Sequence, residues 1–498
     1  MLRGLAGLLC CLGLAFAARP RVEQAAPRVW DDEALATLEV PLAERAASAR
    51  HVAAEFYYRI PVRPIYKSYP VYHPDREPPG YWRWLQEQEP QLAWDSPPLV
   101  TDEDWVRAGE IVFDAPIGYG ANIKVEQARD RDWYARLGVP VSRDGIMPFS
   151  RYVVRRKGEI EIGGGSCLTC HARVMPDGSV VKGAPGNFPA DRALAYSLRA
   201  QAGRAREPES FLRSTRAGQR ALFGVPWLRP DPLAAMEAMS VDEIAAVYEA
   251  IPPGVSTRVN LSPFAPAQIP DLIGVAERRH LDRTGLVRQR DMTDLLRYVA
   301  LVQGANSLDR FGDFRLIETL PDPARLGRYS DEQLRALGRY LYSLRPPPNP
   351  NPENPLTERG REIFAREGCA TCHTPPLYTN NKLTPVEGFA ARPEDAAGLD
   401  VLQRSVGTDP ALALRTRKGT GYYKVPSLRG VWYREALEHS GSVARLEDWF
   451  DPRRLDADYV PTLFVGRGVR ARPVPGHRFG LQLNAEEKRA LIAFLRTL

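Results

Sequence analysis

Cys-x-x-Cys-His occurs twice in this chain, as Cys167-Leu-Thr-Cys170-His171 and Cys369-Ala-Thr-Cys372-His373, and no other feature constrains its folding so tightly. Two thiols separated by two residues suit thioether attachment to the two vinyl groups of one haem. The adjacent His then sits under the iron as its proximal ligand. A redox dithiol does not need the trailing His, and zinc would need ligands pooled from distant segments. The reading is therefore two covalent haem c groups, each with its iron on His171 or His373. The chain has six cysteines, and the remaining two are Cys10 and Cys11, so no thiol is left for a structural disulfide or a catalytic cysteine.

Residues 1–17 read as a secretory signal: Arg3, an apolar run, then Ala15-Phe16-Ala17 before Ala18. Cys10 and Cys11 fall inside it. Covalent haem attachment takes place outside the cytoplasm, so signal and motifs agree on a periplasmic or secreted protein. No later apolar run reaches about twenty residues, and the mature chain is not expected to span a membrane. The net charge of +6 is mild and spread along the chain, which argues against nucleic-acid binding.

Internal repeats divide the chain. Ile269-Pro-Asp-Leu-Ile-Gly-Val recurs as Val425-Pro-Ser-Leu-Arg-Gly-Val, with Arg278, Leu281 and Gly285 matched by Arg434, Leu437 and Gly441. Segments 330–344 and 484–498 both read as helices with an N-cap residue and a leucine stripe. Gly109-x-x-x-Phe113 and Gly360-x-x-x-Phe364 open the two halves. The second opening runs straight into Cys369, whereas an insertion of roughly fifty residues precedes Cys167. The expected architecture is all-α: two tandem cytochrome c-type domains (101–344 and 357–498) with long loop insertions. A proline-rich linker (345–356) joins them, and an aromatic and proline-rich N-terminal extension (18–100) precedes them.

This layout resembles the di-haem cytochrome c peroxidase superfamily, which includes the methylamine-utilisation di-haem enzyme and the haem rubber oxygenases. The residues that carry the likeness are Gly360 to Thr374, Tyr378-Thr-Asn-Asn381, Lys424-Val-Pro-Ser-Leu-Arg429 and Glu438-His439-Ser-Gly-Ser-Val443. The resemblance covers 105–498 in layout and is specific over 357–498. It implies that the N-terminal haem is the reaction site and that the C-terminal haem relays electrons. Calcium lies between the domains in some relatives, so the resemblance leaves room for a calcium ion.

Relatives place a Met on the C-terminal haem, but this chain has none beyond Met292. The sixth ligand is then expected to be His477, in a position resembling the distal His of the rubber oxygenases, with His439 second. Bis-His ligation would lower that haem's potential relative to His/Met. For the N-terminal haem the candidates are His51, His73, Met147, Met175 and His280, and the expectation leans to an open iron. The family's distal Glu has no clear counterpart; Glu237 is a loose one. Phe264 could line an apolar distal pocket and Trp227 could relay electrons. Three functions stay open: reduction of hydrogen peroxide with electrons from a small redox protein, an O2-dependent oxygenase, or an electron carrier without chemistry of its own.

Overall fold

Two glycines set how each half closes. The computed structural model describes residues 28–498 apart from Ser96, Pro98, Ala121 and Asn122, so the signal segment 1–17 lies outside the described residues. In the first half the opening helix, Asp102–Asp114, packs on the closing helix, Asp331–Ser343; a Cβ on Gly109 would lie 2.0 Å from the Ala336 carbonyl oxygen. In the second half Pro355–Arg366 packs on Ala485–Arg496, and a Cβ on Gly360 would lie 2.0 Å from the Ala490 carbonyl oxygen. No side chain fits at either contact, which is why each opening motif needs Gly there. Both closing helices start at the residues expected to cap them. Ser330 accepts from the Gln333 amide, and Asn484 accepts from the Glu486 and Glu487 amides.

The all-α expectation is wrong. Of the described residues 36% are helical and 13% lie in strands, with several small antiparallel sheets. The largest has four strands in the order Ser68–Tyr72, Ile146–Arg156, Glu159–Gly164, Gly118–Tyr119. Two of these strands form a hairpin turning at Lys157-Gly158, where Gly158 has φ 80°. Left-handed backbone of this kind matches the twist of paired strands. This sheet occupies much of the long insertion ahead of Cys167. Its long strand is buried in two consecutive runs, Met147 to Ser150 and Tyr152 to Val154, so both of its faces are covered there.

Residues 28–100 are built into the same hydrophobic core as residues 102–341. Trp30 is fully buried, stacks on Tyr57 at 4.3 Å and donates from Nε1 to the Val52 carbonyl at 2.9 Å. The strand Ser68–Tyr72 forms one edge of the four-stranded sheet. The second half has its own apolar core around Ile363, Phe364, Leu446, Leu491 and Phe494. The prolines after Leu344 hold no regular structure until Asn354 caps the next helix; Asn349 and Asn351 donate to the Arg496 carbonyl at 2.9 and 3.1 Å. No helix among the described residues is long and apolar enough to cross a membrane.

The repeated loops lie against each other where the halves meet. Gln268 N–H donates to the His439 carbonyl at 2.9 Å, and Tyr433 OH donates to Asp271 at 2.7 Å. Arg429 pairs with Glu277 at 2.6 Å. The Thr284 hydroxyl donates to the Lys418 carbonyl and the Thr420 hydroxyl donates to the Thr284 carbonyl, each at 2.7 Å.

Candidate functional site

The second Cys-x-x-Cys-His motif follows its opening helix directly. Gly368, at φ 73°, turns the chain into the short 3-10 turn Cys369–Thr371. His373 Nδ1 faces two backbone carbonyls, Pro426 at 3.1 Å and Tyr378 at 3.2 Å. Nδ1 must therefore carry the proton and donate, which leaves the Nε2 lone pair for a metal. This is the usual orienting contact for a ligating His. Pro426 is the proline of the repeated loop, so the repeat positions the histidine.

His373 opens onto a cleft of about 230 Å³. Phe364, Leu428, Val431, Leu446, Phe450, Leu491 and Leu495 give it apolar walls. Across it stands His477, with ring centroids 6.3 Å apart. Two metal–imidazole bonds of about 2 Å each, with the ring radii added, span roughly 6 Å. The pair is thus spaced to hold one metal between them. His477 also sits in backbone unusual for its type, at φ 44°. Such strain persists only where the surroundings impose it. Here they do: Arg454, fully buried, donates to the carbonyls of Val474, Gly476 and His477 at 2.6, 2.9 and 2.8 Å, and to Trp449 at 2.9 Å. Trp449 and Phe479 flank the His477 ring at 5.2 and 5.3 Å.

His439 lines the same cleft but is engaged elsewhere. It stacks on Tyr423 at 4.1 Å and is ion-paired with Glu438. Burial would raise the Glu438 carboxyl, yet His439 and Ser440 hold it down at about 2. His477 is pushed down to about 3 by burial, then by His373 and Arg454, and His373 is lowered by burial as well. Both rings are neutral and free to donate a lone pair.

The first motif forms the short helix Cys167–His171 just after the four-stranded sheet, tied to it by Thr169 Oγ1 donating to the Phe149 carbonyl at 3.1 Å. The Pro270 carbonyl, counterpart of Pro426, faces His171 and favours its N–H, although Nδ1 makes no hydrogen bond of normal geometry. Burial, then Arg258, pushes His171 down to about 3. Gln303 Nε2 lies 4.0 Å from Cys167 Sγ. All four motif cysteines are unbridged. Burial pushes the Cys167 thiol up to about 12 and Cys369 up to about 11, and Cys170 and Cys372 are raised too. A redox dithiol needs the opposite shift. The residues present fit haem attachment.

The five candidates for the far side of the first haem all have other partners. His51 is buried on Asp309 at 2.8 Å, and His73 packs edge-on against Tyr134 at 4.7 Å. Met147 is fully buried in a strand, Met175 packs near Ile273 and Tyr433, and His280 pairs in a short strand with Nδ1 on the Gly285 carbonyl at 3.3 Å. Glu237 is a surface charge on Arg220, Phe264 is exposed, and Trp227 stacks on Phe311 at 5.9 Å. Sequence reasoning missed Arg454, the carbonyl role of Pro270 and Pro426, and Asp191. Asp191 is a buried carboxyl that accepts from Thr257, is raised to about 7 by burial and acts on the Cys170 thiol. No group of three or more His, Cys, Asp or Glu among the described residues could hold a metal ion.

No family profile and no curated protein matches the sequence. Among solved structures, hydrazine synthase from Kuenenia stuttgartiensis aligns at 15% identity over 56% of this chain and 86% of its own, with a TM-score of 0.31. A MauG-like protein associated with microbial copper homeostasis aligns at 16% identity over 57% and 88%, with a TM-score of 0.29. The di-haem peroxidase BthA from Burkholderia thailandensis aligns at 20% identity over 57% and 86%, with a TM-score of 0.25. At these TM-scores the likenesses carry no argument, and the case for haem rests on this chain's own residues.

Proposed function

We propose that the chain is an exported di-haem c-type oxidoreductase that reduces hydrogen peroxide, with the first centre as reaction site and the second as electron relay. The observation that carries this is an asymmetry. His373 has His477 at 6.3 Å across its cleft, whereas every His and Met weighed for His171 is held by other contacts. Cys167, Cys170 and His171 would hold one haem; Cys369, Cys372, His373 and His477 would hold the other. Bound there, haem supplies an iron that exchanges electrons and, where one face is free, binds a small oxidant. The chain's own residues do the rest. The carbonyls of Pro426 and Tyr378 fix the tautomer and orientation of His373. Arg454 holds His477 against leaving. Asp191 is buried beside Cys170 and can hold a proton on its carboxyl at neutral pH, which suits a reaction that adds protons to oxygen. Electrons would come from a small redox protein in the same compartment.

The test is peroxide consumption by the haem-loaded protein with a reduced small cytochrome as donor. Turnover is expected in the wild type and is lost in Cys167→Ala/Cys170→Ala. A protein carrying both haems that consumes O2 with an organic substrate, and no peroxide, would replace the peroxidase reading with an oxygenase.

A further inference from the structure

The repeated loops also pair charged residues that the haem motifs leave unused. Arg278 and Arg434 hold equivalent positions, and each acts electrostatically on the motif histidine of its own half, Arg278 on His171 and Arg434 on His373. Arg283 and Lys424 lie with them around one small void whose walls include both Pro270 and Pro426. Arg283, Lys424 and Arg434 also line the cleft in front of His373.

These four cations contact backbone carbonyls where an ion pair would be expected. Arg278 donates to the carbonyls of Asp271 and Ile273, the latter at 2.8 Å. Arg283 donates to Gln268 and Ile269 at 3.1 and 3.2 Å, and Arg434 to Ser427 at 2.8 Å with its Nε buried and unpartnered. Lys424 Nζ reaches the His280 carbonyl at 3.4 Å. Burial, followed by the neighbouring arginines, lowers Lys424 well below its ordinary value and Arg283 to about 9. The adjacent cations differ. Arg258 and Lys418 both sit on Asp282, at 2.9 and 3.2 Å. Asp271 is the one carboxylate lining this void, it acts on Arg278 and Arg283, and it also accepts from Tyr433 OH. Four buried cations against one carboxylate destabilise a fold, so the cluster calls for further anions. Guanidinium groups favour carboxylates or phosphates, which accept two parallel hydrogen bonds.

We propose that Arg278, Arg283, Lys424 and Arg434 form an anion cradle between the halves, filled by the propionate carboxylates of the two haems. This rests on the di-haem reading above. It makes the link between the halves carboxylate on cation, and a calcium ion has no place among these four positive charges. A free dianion such as inorganic phosphate shares the chemistry, and the experiment separates the two sources.

Haem content of the purified wild type and of Arg434→Gln, Lys424→Gln and Arg434→Lys is measured first. A wild type without two haems would sink the di-haem reading itself. Spectroelectrochemical titration from pH 5 to 9 follows on the haem-loaded proteins. The expected result is a wild type with little pH dependence. In Arg434→Gln and Lys424→Gln the equilibrium constant for reducing the His373 haem falls at least tenfold, about 59 mV for one electron. A new pH-dependent step also appears as a released carboxylate titrates. Arg434→Lys, which keeps the charge, should retain most of the wild-type potential. Haem-loaded Gln variants with unchanged potentials and pH profile would overturn the proposal. So would a wild-type Tm that rises with inorganic phosphate, because the cradle would then be taking a free anion.

Discussion

Arg454→Met would release the segment that presents His477. The guanidinium is fully buried, makes four hydrogen bonds of 2.6–2.9 Å to backbone carbonyls, and lies 4.6 Å from the Trp449 ring. Charge-assisted bonds of this kind are each worth about 1.5–3 kcal/mol, so four would nominally total about 6–12 kcal/mol. That total cannot be observed, because the freed carbonyls regain water once segment 474–477 lifts. The loss is therefore limited to the cost of opening that segment, about 3–5 kcal/mol, in the range of other broken buried networks. Methionine keeps the volume and removes the donors. Lifting the segment also carries His477, held at φ 44° by these contacts, away from His373. Urea denaturation should show the stability loss, and low-temperature EPR should show the His373 haem changing from low-spin to high-spin. Arg454→Lys, with one ammonium for four carbonyls, should fall between. A Met variant within about 1 kcal/mol of wild type with its low-spin signal intact would refute the clamp.

Gly360→Ala should cost about 1–3 kcal/mol or more in a urea melt, since the new Cβ meets the Ala490 carbonyl at 2.0 Å; Gly218→Ala, with nothing within 4 Å, is the control and should be neutral or stabilising. Burial opposes charge on His51, but Asp309 and Glu39 raise its pKa from 6.5 to about 9. That stabilisation is complete below pH 6.5 and is lost as pH rises through 9, so the advantage of wild type over His51→Gln should shrink by something on the order of 3 kcal/mol across that window. An advantage that stayed constant with pH would contradict the ion pair. Asp191 is the reverse of an ordinary carboxylate: burial raises it to about 7, so its ionisation weakens the fold. Asp191→Asn should gain stability over wild type as pH climbs from 4 to 7 and keep that gain unchanged above it, while peroxide turnover falls. Equal pH profiles for the two proteins would remove Asp191 from its proposed role.

What could be read from the sequence was local or repeated. Cys-x-x-Cys-His is a five-residue signal, and the Gly-x-x-x-Phe openings and capped closing helices carry their packing in their own spacing. The four-stranded sheet was missed because the haem motifs suggested a helical shell around the insertion. The hairpin signal was nevertheless present, in Val153-Val154 and Ile160-Glu161-Ile162 on either side of Lys157-Gly158. The Trp30–Tyr57 stack and the sheet-edge role of Ser68–Tyr72 join segments with no shared pattern, so no local rule could find them. The repeated loop was visible, but the use of its proline carbonyls was not, because a backbone oxygen leaves no mark on residue identity. The sequence ranked His477 ahead of His439 by resemblance alone, since both precede the closing helix in loops. In space His439 is held by Glu438 and Tyr423, and His477 faces His373.

The most direct test of the two unlike centres is the low-temperature EPR spectrum of the ferric, haem-loaded protein, recorded beside His477→Ala. The account predicts one high-spin and one low-spin signal in the wild type, with the low-spin signal alone converted to high-spin in the variant. Two low-spin signals in the wild type, or a variant that keeps its low-spin signal, would contradict it.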